Sequence, residues 1–124
     1  GALLLIDTED DFAPAEQVKL RDDVARRGLS LVVLAEWHHP AVLSSVRFFD
    51  ENTHAWMEPV TGGANLPALN ELLGPLGVAF GSRVVRGELR HDGRVATIAS
   101  GAPIARLAAG GWLLRVPAMH DEAA

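Results

Sequence analysis

Two short apolar runs, Ala2–Ile6 (ALLLI) and Leu29–Ala35 (LSLVVLA), constrain this chain more than any other feature. A strand with one wet face alternates apolar and polar residues, whereas a nearly continuous apolar run reads as a strand covered on both faces in a parallel sheet. Parallel neighbours need a long crossover, and the sequence between the runs supplies one. Pro14 marks a first helical turn, Gly28 a C-terminal stop, and Arg26 and Arg27 complement the negative end of the helix dipole. Over Pro14–Arg27, Glu16, Lys19, Asp22, Asp23, Arg26 and Arg27 share one arc, and Val18, Leu20, Val24 and Ala25 the other. Asp22 with Arg26 and Asp23 with Arg27 are i, i+4 pairs in the favourable order, each worth about 0.2–0.5 kcal/mol. The expected unit is β-α-β with a right-handed crossover.

A second organising stretch is Asp50–Leu73, DENTHAWMEPVTGGANLPALNELL, which reads as a long surface loop ending in a helix cap. Thr61-Gly62-Gly63-Ala64 offers tight turns, Asn65 can accept a bond from an orphan N–H of the next helix, and Pro67 suits its first turn. Leu66, Leu69, Leu73 and Leu76 then line one buried face, with Asn70 and Glu71 outward. Before the loop, Pro40 opens a short helix through Val46, and Phe48 and Phe49 anchor the loop itself. Beyond the helix, Val78–Phe80 is short enough for a brief strand. Val85, Gly87 and Leu89 alternate with Arg86, Glu88 and Arg90, and the Asp92-Gly93 turn precedes Arg94–Ala99, so an edge hairpin is expected. Trp112–Val116 is an apolar run ended by Pro117, and from Met119 onward the chain reads as a tail with no core to join. The expected architecture is α/β, three-layered with a mostly parallel sheet and a C-terminal β-hairpin. Residues 1–118 form one domain, consistent with a length of 124, and 119–124 the tail.

Composition narrows the function classes. A net charge of −5 lacks the clustered cations that nucleic-acid phosphates require. No apolar run approaches the roughly 20 residues that span a bilayer, so no direct membrane contact is expected. With no cysteine there is neither a disulfide nor a thiol nucleophile. The start at Gly1, running straight into a strand without a leader, reads as a piece of a longer protein.

Asp7, Glu9, Asp10 and Asp11 follow the first strand and Glu36 the second, at the carboxyl edge where α/β folds bind ligands. The plainer reading is an acidic loop at a helix N-terminus, where negative charge is favourable. A phosphoacceptor site would also need a partnering lysine late in the chain, and Lys19 is the one lysine. His38, His39, His54, His91 and His120 lack spacings that put two rings on one face, and no G-x-S-x-G elbow is present. No metal, cofactor or catalytic residue is therefore expected. Trp37 and Trp56 flank the loop region, where each serves either as a core plug or as a recognition aromatic.

Read together, LLLIDTEDDFAPAEQVKLRDDVARRGLSLVVLAEW, VRFFDENTHAWMEPVTGGANLPALNELL and IASGAPIARL resemble the non-catalytic segment after the subtilisin domain of membrane-bound site-1 proteases, the subtilisin/kexin-isozyme type. Phe49–Thr53 and Thr61–Leu73 are the most specific parts, and Arg83–Thr97 is only loosely similar. The resemblance implies a luminal piece of a Golgi or endoplasmic-reticulum serine endopeptidase, anchored to the membrane elsewhere, whose catalytic residues belong to another domain. The fold also looks like the flavodoxin-like or class I glutamine-amidotransferase scaffold, whose enzymes need a cysteine that this chain lacks. Two functions are implied. In the first, an accessory domain packs on the subtilisin-like catalytic domain of the same protein, or meets a luminal partner, through Asp50, Glu51, Asn52, Trp56, Met57, Gly62 and Gly63. In the second, a small-molecule-binding module uses the rim of Asp7, Glu9 and Glu36 with the Gly62-Gly63 loop.

Overall fold

A computed structural model describes residues 1–58, 64–113 and 118–121, the last stretch by its backbone only. Strands β1 (Ala2–Ile6) and β2 (Ser30–Leu34) pair in parallel, with Ala2 opposite Ser30 and Ile6 opposite Leu34, joined through helix α1 (Pro14–Arg26). The start of α1 is held by the Glu16 carboxylate, which accepts from the Ala13 N–H at 2.9 Å, and Gly28 leaves its end at φ 72°. Arg26–Asp22 (3.3 Å) and Arg27–Asp23 (3.6 Å) form as the spacing requires, and Lys19 adds a 2.7 Å contact to Asp23. The Lys19 hydrogen bond, with the Lys19 and Arg27 charges, holds the Asp23 carboxyl below its usual range against the opposing effect of burial.

Helix α2 (Pro40–Ser45) is capped by His39, whose Nδ1 accepts from the Val42 N–H at 3.4 Å. Strands β3 (Phe48–Asp50) and β4 (Ala55–Met57) then form an antiparallel ribbon. Helix α3 (Leu66–Leu73) comes next, extended by a 3₁₀ turn over Gly74–Leu76. Strand β5 (Ala79–Phe80) is brief, and the long hairpin of β6 (Val85–His91) and β7 (Arg94–Gly101) turns at Asp92 (φ 49°) and Gly93 (φ 72°). Two successive positive φ values are the type I′ geometry that Asp-Gly favours. Strand β8 (Ile104–Arg106) pairs antiparallel with β5, and β9 (Ala118–Asp121) antiparallel with β6.

Three expectations are corrected here. The mostly parallel, three-layered sheet does not form: among the described residues β1–β2 is the one parallel pair, and the other four strand pairs are antiparallel, spread over small sheets. Past β2, α2 leads into the β3–β4 ribbon and α3 into β5, but none of these strands joins the β1–β2 pair; each instead pairs antiparallel with another strand, β3 with β4 and β6 with β7 through short turns. Of the segment read as a tail, residues 119–121 belong to strand β9, which pairs with β6, and 122–124 lie outside the described residues. Nor are β1 and β2 covered on both faces. Leu5 and Val33 pack on the core cluster of Ala64, Leu66 and Leu69, whereas Leu4, Ile6, Val32 and Leu34 on the opposite face are 45–56% exposed.

The core thus lies between α3 and the inner face of β1–β2, with Phe12, Ala35, Phe80 and Ala102 closing around it. Leu66, Ala68, Leu69, Leu72 and Leu73 are all buried, a wider stripe than the leucine spacing implied, and Leu76 is only partly buried. Asn70 and Glu71 do not simply face water. The Asn70 amide donates to the Phe80 carbonyl (3.0 Å) and accepts from the Phe80 N–H (2.8 Å), replacing the strand partner that β5 lacks on that edge. Glu71 accepts from the buried Gln17 side chain at 3.2 Å, which ties α3 to α1.

Candidate interaction ribbon and carboxyl-edge cleft

The Asp50–Met57 stretch is built as a turn between two three-residue strands. The Asp50 carboxylate accepts from the Asn52 N–H (3.1 Å) and the Thr53 hydroxyl (2.9 Å), and His54 takes a left-handed φ of 52°. Asp50 and Asn52 therefore shape the turn, and Glu51 is exposed beside them. Cross-strand partners share a face and successive residues alternate. Phe48 opposite Met57 thus lies on one face of the ribbon and Phe49 opposite Trp56 on the other. The Phe49 and Trp56 rings meet edge to face at 5.7 Å, and the Arg47 guanidinium sits 5.1 Å from the Trp56 ring centre. All four apolar side chains stay open to solvent, Trp56 most at 63%. The core-plug reading of Trp56 fails on that exposure. Single exposed apolar residues are ordinary, but two pairs on opposite faces of one short ribbon are not. Gly62 and Gly63 lie outside the described residues.

At the carboxyl edge of β1–β2 a cleft of about 680 Å³ opens between Asp7, Leu34 and Glu36 on one side and Ile98, Ser100 and Ile104 on the other. Asp7 is held in the left-handed region (φ 43°), its N–H donating to the Leu34 carbonyl (2.9 Å) and its carboxylate accepting from the Glu36 N–H (2.8 Å). It clamps the ends of the two strands together, and the rest of the cleft is largely apolar. Of the expected rim, Asp7 and Glu36 line the cleft, whereas the Glu9 carbonyl accepts from the Asn65 amide at 2.9 Å. Among the described residues no group of three or more His, Cys, Asp or Glu side chains is placed to hold a metal ion.

Asn65 joins the acidic loop to α3. Its side-chain oxygen accepts from the Ala68 N–H (3.2 Å), while its amide donates to the Glu9 carbonyl and the Asp11 carboxylate, each at 2.9 Å. Asn65→Ala is expected to cost about 0.5–2 kcal/mol, toward the upper end because the ties to the acidic loop go with the cap. Urea denaturation checks this, and Asn65→Asp, which keeps the cap but faces Asp11 with a second carboxylate, should fall between.

The His38 ring nitrogen Nδ1 is buried without a hydrogen-bond partner in the protein, and burial, with the neighbouring His39 charge, lowers its pKa below 6.5. A depressed histidine binds its proton more readily in the unfolded chain, so stability should fall as pH drops through about 6.5 and level off below the folded value. Denaturation midpoints between about pH 5 and 7.5 should show this slope, and His38→Gln should flatten it.

A family match places this mixed α/β domain, with its parallel β-α-β start, in a glutamine-amidotransferase-like class, and its sequence contains no cysteine. Residues 1–124 match the family described as MBTPS1, fourth GATase-like domain, and the chain belongs to that family. It is 50% identical over 122 residues to the subtilisin-like protease SBT6.1 of Arabidopsis thaliana, covering 98% of this chain and 12% of that protein. It is 46% and 44% identical over 106 residues to the membrane-bound transcription factor site-1 proteases of Rattus norvegicus and Homo sapiens, covering 86% of this chain and 10% of each. The chain thus spans about a tenth of the length of these relatives.

Sequence reasoning placed the interaction candidates in a loop and missed that Phe48 and Phe49 pair with Met57 and Trp56. The signal was there, in two apolar pairs flanking an Asp-Glu-Asn-Thr turn.

Proposed function

We propose that this chain is a non-catalytic accessory domain of a site-1-protease-like, subtilisin-family serine endopeptidase, which it stabilises by docking on the catalytic domain through the β3–β4 ribbon. The protein it belongs to is membrane-anchored, with this domain in the lumen of the Golgi or endoplasmic reticulum. The relatives' names support the membrane association, and no helix among the described residues is long and apolar enough to provide the anchor itself. The observation that carries the docking role is the exposed apolar ribbon of Phe48, Phe49, Trp56 and Met57. A desolvated tryptophan at the centre of an interface contributes on the order of 2 kcal/mol or more. Left in solvent with only its Phe49 and Arg47 contacts, it contributes about 1 kcal/mol. Trp56→Ala should therefore destabilise the protease-containing chain by the larger amount and the 1–124 chain by the smaller. Equal losses in both would end the docking role.

A second reading, a small-molecule site, is favoured by one observation: the cleft sets the Asp7 and Glu36 residues against apolar walls. Its ligand would be a small, mainly apolar molecule with a cationic or N–H donor group. Thermal-shift screening with such compounds, repeated with Glu36→Gln, tests it, and a shift unchanged by Glu36→Gln would count against it.

A further inference from the structure

We infer that the outer face of the β1–β2 pair is the seat of one amphipathic helix contributed by the same polypeptide outside residues 1–124. This rests on the reading of the chain as one domain of a longer protein, but on a surface other than the ribbon. In the parallel register Leu4 stands opposite Val32 and Ile6 opposite Leu34, which makes a contiguous block of four large apolar side chains. They are exposed by 53%, 45%, 56% and 54% for Leu4, Val32, Ile6 and Leu34, while Ala2 opposite Ser30 completes the face with small side chains. No charged residue stands within the block, and at its carboxyl end Leu34 borders Asp7 and Glu36. The inner face, by contrast, is packed by α3 and its cluster. Strands apolar at nearly every position belong in sheets with helices on both sides, and here one side is bare.

The dimensions select the occupant. Two strands about 4.8 Å apart present a strip roughly 10 Å wide, the width of one α-helix. Five residues per strand at about 3.3 Å each give a length near 16 Å, about three helical turns. The four half-exposed side chains offer on the order of a few hundred Å² of accessible surface, below the roughly 800 Å² per partner that a stable independent complex buries. A second copy of the chain, or a free partner, would gain too little from it. A covalently linked segment does not need the full area, because its effective concentration replaces much of the affinity. The relatives leave ample chain to supply one, since this stretch covers only 10–12% of their length. The helix would present apolar residues at i, i+3 or i+4, and i+7 to the strip and polar residues outward.

The test uses the full-length protein. Hydroxyl-radical footprinting of the unmodified chain should show Leu4, Ile6, Val32 and Leu34 oxidised at least fivefold less, after correction for intrinsic reactivity, than Val18 and Val95, which are 62% and 55% exposed here. A benzoylphenylalanine at position 32 of the same chain should then form an intramolecular cross-link to a helical segment outside residues 1–124, identified by mass spectrometry. Oxidation equal to that of the two reference valines, or a cross-link to a second copy or another protein, overturns the inference. Neither readout depends on Trp56, so failure of the ribbon's role would leave both unchanged.

Discussion

Leu69→Ala should destabilise the domain by about 2–5 kcal/mol, the range for deleting most of a buried leucine and leaving a cavity. Leu69 is 1% exposed and belongs to the cluster on which Leu5, Phe12, Val33, Ala35 and Phe80 converge. That cluster is the junction between α3 and the parallel strands, so no neighbouring element can collapse into the space without breaking another contact. Stabilities of this size are a large share of what a domain of about this length possesses. Chemical denaturation should show the midpoint falling steeply, and a loss below about 1 kcal/mol would mean that the cluster is not the centre of the fold. Val18→Ala, on the exposed side of α1, should be nearly silent by comparison.

Asn70→Ala is the second large effect, expected at about 2 kcal/mol or more, because it strips both backbone groups of Phe80 of their partner at once. The replacement Asn70→Asp separates the two bonds. Its carboxylate still accepts from the Phe80 N–H, but it confronts the Phe80 carbonyl where the amide used to donate. Repulsion there raises the folded-state pKa of the new acid, because only its protonated form can donate. The stability it retains is therefore fully present below the unfolded value of about 3.9 and is lost as pH rises through the raised folded value. Denaturation at about pH 4 and 7 should show Asn70→Asp recovering at the lower pH, while Asn70→Ala does not.

How much of this was legible in the sequence depended on how local the signal was. The β1-α1-β2 unit, the Asn65 cap geometry and the Asp92-Gly93 turn are encoded within a few residues by spacing and by φ preference. They stand in the structure at the positions read for them. The sheet arrangement was not legible, because pairing partners such as β5 with β8 are distant in sequence and only two to three residues long. Asn70 was misread for a related reason. Its helical position faces outward by periodicity alone, and only the arrival of Phe80 makes that direction an interior one. The apolar outer face of β1–β2 is the reverse case: the sequence calls for cover that these residues do not provide. Of the candidate site, Asp50–Met57 read as part of a surface loop, whereas the turn held by the Asp50 carboxylate and the cross-strand pairing that exposes Trp56 beside Phe49 were not legible.

The claim that this domain supports catalysis without performing it is tested most directly by peptide hydrolysis, measured on purified residues 1–124 and on the protease-containing chain carrying both Phe49→Ser and Trp56→Ser. The 1–124 chain should release no product. If the ribbon docks on the catalytic domain as proposed, the doubly substituted longer chain should lose activity on heating well before its unsubstituted counterpart. Hydrolysis by the 1–124 chain itself, or an unaltered thermal inactivation profile in the substituted longer chain, would contradict the account.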